Sequence, residues 1–152
     1  MSDLLGTGRK APTFTAQASD GKTYKLADVL RTHHVVLVFY PANNTPGCNR
    51  QLSAVRDEFE EFTERGIQAF GVNPAGTESH ARYVDKMEFP FPILSDPDRS
   101  IARAYHALKE SGEGIQRSVY LVRRDGTIAF AQRGAPPPAE IVAALDAPGR
   151  AS

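Results

Sequence analysis

Tryptophan is absent from this chain, cysteine occurs once in 152 residues, and 18 basic residues cancel 18 acidic ones. Each shortage excludes something. One cysteine cannot close an intrachain disulfide, so the cytoplasm is the expected location and the thiol is either a buried filler or a chemical group. Zero net charge carries no electrostatic footprint for nucleic acid or an anionic membrane, and basic pairs such as Arg123–Arg124 are too short to form a stripe. No apolar run approaches the roughly 20 residues that cross a bilayer. The N-terminal MSDLLGTGRK lacks the charged-then-apolar pattern of a secretory signal. His33, His34, His80 and His106 show no ligand spacing such as H-x-x-x-H, so neither a metal nor another cofactor is expected. Repeats, low-complexity tracts and linkers are missing too, which leaves one domain over residues 1–152.

What is present alternates in period. TFTAQA and KTYKL flank Ser19-Asp20-Gly21 and predict an N-terminal β-hairpin. HVVLVFY at 34–40 is a continuous, β-branched run of the kind buried on both faces of a sheet. From Gly47 to Arg65 apolar residues recur at three and four (Leu52, Val55, Phe59, Phe62), with Gly66 as the stop, and this predicts one helix. IQAFGVN at 67–73 is a second buried strand. A helix over Thr77–Met87, ended by Pro90 and Pro92, leads to PFPILSD and a short helix over Asp98–His106. RSVYLVRR and TIAFAQR around Asp125-Gly126 predict an antiparallel pair, and AEIVAAL a last helix. The order describes an α/β chain with helices over a central mixed sheet.

The cysteine stands where the first buried strand gives way to a helix, in PANNTPGC at 41–48. Such strand-to-helix crossings are where sites form in open α/β sheets. Thr45 suits the N-cap and Pro46 the first helical position, where a missing N–H is no loss. Cys48 is then the third helical residue, close to unpaired N–H groups and to the positive end of the helix dipole. Helix N-termini and cationic neighbours bring a cysteine pKa from about 8.5 down to about 3.5–7.5. Gly47 leaves the backbone beside the sulfur bare. Against this, Cys48 shares a stripe with Leu52, Val55 and Phe59, and unpaired cysteines are among the most buried residues. The local physics leaves a reactive thiol and a packed one both open.

Pro41, Thr45 and Cys48 match P-x-x-x-T-x-x-C, and VLVFYPANNTPGCNRQLSAVRD resembles the bacterioferritin-comigratory, or Q-type, branch of the peroxiredoxins. Ala11-Pro12-x-Phe14, Gly71-Val72 with Ser79-His80, FPFPILSD, and Arg117-Ser118 opening a strand extend the likeness over most of residues 8–133. The resemblance implies a thioredoxin-like fold and reduction of hydrogen peroxide or organic hydroperoxides. Cys48 would attack the nearer peroxide oxygen and become a sulfenic acid. Thr45, beyond any capping, would hydrogen-bond the reacting oxygens and the sulfur. Pro41, otherwise a strand terminator, would shield the thiolate. Arg117, otherwise a solvated strand-end arginine, would stabilise the thiolate and the leaving oxygen.

This chain departs from the pattern at three places. Many Q-type members carry a second cysteine five residues after the first, and here that position is Ser53. Gln51 stands where glutamate is frequent, and Asn43 where aspartate is. A one-cysteine form is implied, reduced from outside by a small thiol, by a thioredoxin- or glutaredoxin-like protein, or by a second subunit's Cys48, in a monomer or weak homodimer. A thioredoxin-type exchanger needs C-x-x-C and finds Gln51. Glutathione peroxidases share the fold but typically use a tryptophan. The remaining alternative keeps the fold as a peroxide sensor or holdase that oxidises once and waits for a partner.

Overall fold

The computed structural model describes residues 3–146; the first two residues and the last six of the expected 1–152 domain lie outside them. A five-stranded mixed sheet runs through the centre in the order β5-β4-β3-β6-β7. Its strands are β3 (His34–Phe39), β4 (Ile67–Asn73), β5 (Ile93–Ser95), β6 (Ser118–Val122) and β7 (Ile128–Arg133). β4 is parallel to both β3 and β5, whereas β6 is antiparallel to both β3 and β7. The expected α/β class with a central mixed sheet is what the chain adopts.

The run HVVLVF is apolar throughout because both faces of β3 are covered. Val35, Leu37 and Phe39 enter one core, and Val36 and Val38 the other, where Tyr40 joins them just past the strand. The first core is closed by the short helices α1 (Leu26–Val29) and α5 (Ser100–Ala104) and by the hairpin β1 (Thr15–Gln17) and β2 (Thr23–Lys25). The hairpin turns at Gly21, at φ +82°, and Ser19 ties it to β5 through a backbone N–H donated to the Ile93 carbonyl at 3.0 Å. An otherwise open sheet edge is thereby blunted. The second core lies under α2 (Pro46–Asp57), α3 (Glu60–Thr63), α4 (Thr77–Met87) and α6 (Pro138–Ala143).

One expectation needs correction. The helix predicted from Gly47 to Arg65 is broken at Glu58 and Phe59, where the bonds tighten to i→i−3, as in Phe59 N–H to the Arg56 carbonyl at 3.3 Å. The break puts Glu60 and Glu61 in the first turn of α3, where the helix dipole favours acids. It also lets Phe62 bury completely while Phe59 packs against Phe91, ring centroids 6.2 Å apart. The helix expected over Thr77–Met87 is α4, with those bounds, and its chain leaves the helix at Glu88 in the left-handed region (φ +57°) ahead of Pro90 and Pro92. The four-residue α1 went unforeseen, being too short to show a period.

Candidate active site

Strand β3 delivers Tyr40 to the end of the sheet, and PANNTPGC then reverses the chain into α2. Asn44 makes the reversal at φ +58°, a conformation that asparagine tolerates better than most residues. Its side-chain carbonyl accepts from Lys86 Nζ at 2.8 Å. Asn43 pins the loop from below. Its carbonyl accepts from Tyr40 Oη at 2.5 Å, and its amide donates to Ser79 Oγ at 2.9 Å and His80 Nδ1 at 3.0 Å. His80 is fully buried, and its Nε2 meets the Asn73 carbonyl at 3.1 Å. Only a neutral ring with its proton on Nε2 satisfies both neighbours. Burial pulls the His80 pKa down, in agreement with that tautomer.

Thr45 occupies the N-cap position with extended backbone, and Pro46 the first helical one, as expected. The hydroxyl, however, does not cap: it donates to the Ala42 carbonyl at 3.3 Å. The donated proton is thus engaged and the oxygen's lone pairs stay free to accept. Cys48 follows in the first turn, where the leading N–H groups have no intrahelical acceptor.

Arg117 comes in from the segment before β6. Its Nη1 donates to Cys48 Sγ at 3.6 Å and to Gln51 Oε1 at 2.5 Å. Gln51 Nε2 donates in turn to the Gly134 carbonyl at 3.4 Å, so both ends of one amide hold the arginine over the sulfur. Gly47 borders the guanidinium: a Cβ at that position would lie 3.4 Å from Arg117 Nη2, in ordinary contact with it. Around the sulfur, Tyr40 and Tyr83 are neutral phenols. Burial raises both, Tyr83 to about 12, with the nearby cysteine adding to the rise. Tyr83 Oη donates to Asn49 Oδ1 at 2.6 Å and steadies the first turn of α2 from α4.

Cys48 and Arg117 are therefore brought together across 69 positions of chain, with Thr45 one turn before the sulfur. Pro41 lies exposed at the start of the loop. The bare approach expected beside Gly47 is narrower than foreseen, since Cys48 is only 1% exposed. Gln51 had no expected role in the site, standing in the sequence as a departure and as the residue that rules out C-x-x-C, yet it lies three residues after Cys48 on the same helix face, which was the available signal. Tyr83 and Asn49, 34 positions apart, left none.

Residues 7–131 match the AhpC/TSA family. The chain belongs to that family. It is a peroxiredoxin, a thiol peroxidase of the bacterioferritin-comigratory, Q-type branch. A relative from Mycobacterium tuberculosis that bears a peroxiredoxin name is 40% identical over 134 residues, which is 84% of this chain and 85% of the relative. The solved structure of a variant of PrxQ from Xylella fastidiosa superposes with a TM-score of 0.86 at 25% identity, covering 95% of this chain and 98% of its own. That of the Xanthomonas campestris bacterioferritin comigratory protein, described in connection with alkyl peroxide reduction, gives 0.82 at 27%, covering 93% and 98%. The thioredoxin-like fold of such peroxiredoxins is the fold seen here, and a peroxiredoxin with one cysteine takes its electrons from an external thiol.

Proposed function

We propose that Cys48 is the sulfur that this one-cysteine peroxiredoxin oxidises, with Arg117, Thr45 and Pro41 serving it. The observation that carries the reading is the guanidinium N–H directed at Sγ at 3.6 Å, held there by a neutral amide rather than an acid. Among the described residues no carboxylate pairs with Arg117, so its charge favours negative charge on the sulfur and on the oxygen that leaves. The thiolate attacks the nearer oxygen of a hydroperoxide and the O–O bond breaks. The far oxygen departs with a proton as water or alcohol, leaving Cys48 as the sulfenic acid. Thr45, its proton spent on Ala42, accepts from the peroxide hydroxyl. Pro41, exposed where the loop begins, serves as a shield for the thiolate in this reading. Hydrogen peroxide and organic hydroperoxides both fit a reaction that needs only the O–O group to reach the sulfur.

With Ser53 in the resolving position and no second thiol, a small thiol or a thioredoxin- or glutaredoxin-like protein completes the cycle. We place the chain in the cytoplasm as one domain, a monomer or weak homodimer without nucleic-acid or membrane partners. Support comes from balanced charge, from the lone reduced cysteine, and from the lack of any described helix long and apolar enough to cross a membrane. The test is turnover. With excess hydrogen peroxide and a dithiol reductant, each chain should consume many equivalents. Consumption that stops at one equivalent would assign the chain to the sensor or holdase reading instead.

A further inference from the structure

We infer that the groove beside Cys48 is the docking site of the external reductant, and that it takes a low-molecular-weight thiol bearing a carboxylate. This rests on Cys48 being the oxidised sulfur. A cavity of about 430 Å³ opens against the first turns of α2, with Gly47, Arg50 and Gln51 on one side and Arg117 facing them. Such a volume suits a small molecule. Its remaining walls are Ala54, Ala135 and Pro136, so among the described residues the groove carries two guanidinium groups and no acid. A chain with 18 charges of each sign makes that local excess informative, because overall basicity does not explain it.

The two arginines have different tasks. Arg117 reaches past the cavity wall to the sulfur, so the groove and the reacting atom share one side chain. Arg50 is exposed and enters no ion pair or side-chain hydrogen bond among the described residues. An unpaired arginine on the rim of an acid-free groove is a ready partner for a carboxylate, which it can grip with two parallel N–H groups. A thiol anchored there by its carboxylate holds its sulfur toward Cys48. The S–S bond forms as the S–O bond of the sulfenic acid breaks, and the hydroxide that leaves takes up a proton as water. A second thiolate then attacks the outer sulfur, releasing the Cys48 thiolate and a small-molecule disulfide. Two thiols thereby return the two electrons that the peroxide removed.

The experiment oxidises the full chain with one equivalent of hydrogen peroxide and then mixes it with 3-mercaptopropionate, 2-mercaptoethanol or cysteamine. Each rate is corrected for the fraction present as thiolate. The wild type should favour the carboxylate thiol over the neutral one and the neutral one over the cationic one. Because an exposed charge pair contributes modestly, Arg50→Gln should shrink that preference roughly two- to fivefold. Arg50→Lys should retain part of it, and added salt should weaken it. Equal corrected rates in the wild type, or a preference that Arg50→Gln leaves untouched, would overturn the inference. The two readings fail differently: absence of any sulfenic acid after peroxide sinks the role of Cys48, whereas a sulfenic acid reduced without regard to thiol charge sinks only the groove.

Discussion

Arg117→Gln should slow the reaction of Cys48 with hydrogen peroxide by about 30- to 150-fold. The magnitude follows from one distance. A unit charge 3.6 Å from the sulfur is worth about 4.6 kcal/mol at an effective dielectric constant of 20 and about 1.2 kcal/mol in water. Arg117 is half-buried, so the interaction lies between these limits, at about 2–3 kcal/mol, and each 1.36 kcal/mol is a factor of ten in rate. Arg117→Lys keeps the charge, but one ammonium cannot reproduce the guanidinium geometry over both Sγ and Gln51 Oε1. Losing one such hydrogen bond costs about 1 kcal/mol, which predicts a loss of about fivefold. The chain has no tryptophan, so the rate is best followed by rapid quenching and the mass of the trapped sulfenic acid. A folded Arg117→Gln protein that reacts within twofold of the wild type would refute the electrostatic reasoning.

Three further perturbations test the scaffold. Asp96 is buried and accepts the Ile101 and Ala102 N–H groups at 3.0 and 2.9 Å, so Asp96→Ala should cost about 2–3 kcal/mol in a denaturant titration; a loss below 0.5 would deny it this role. Burial holds the pKa of His80, and of His34, below the ordinary value, so below about pH 6.5 the unfolded chain binds protons that the folded chain declines, and stability falls with acidification. The pH dependence of stability between 5 and 7 should be shallower in His80→Asn, and an unchanged slope would show that His80 is not held neutral. Gly71→Ala would set a methyl 3.2 Å from both Tyr40 and Ile93. It should lower stability by about 1–3 kcal/mol and slow peroxide reduction through Tyr40 and Asn43, and a neutral outcome in both assays would contradict that packing.

The fold was largely legible because its strongest signals are physical necessities. HVVLVF is apolar at every position because cores lie on both sides of it, and Asp125-Gly126 marks a turn in which Gly126 takes φ +90°. The break between α2 and α3 escaped notice because Val55, Phe59 and Phe62 keep helical spacing across it, and only the crowding of Asp57, Glu58, Glu60 and Glu61 hinted otherwise. At the site, Thr45-Pro46-Gly47-Cys48 announced a helix start bearing a thiol. Arg117 entered only through family likeness, since nothing local links it to a residue 69 positions away. The choice of the Thr45 hydroxyl for Ala42 over the helix end, and the near-complete burial of Cys48, are set by tertiary packing that one-dimensional spacing does not carry.

The most direct measurement is a single-turnover stoichiometry on the reduced protein. One equivalent of hydrogen peroxide should remove one free thiol per chain and place one trappable sulfenic acid on Cys48, with no peroxide consumed by Cys48→Ser. A thiol that survives the peroxide intact, or consumption that persists in Cys48→Ser, would contradict the assignment of the chemistry to this sulfur.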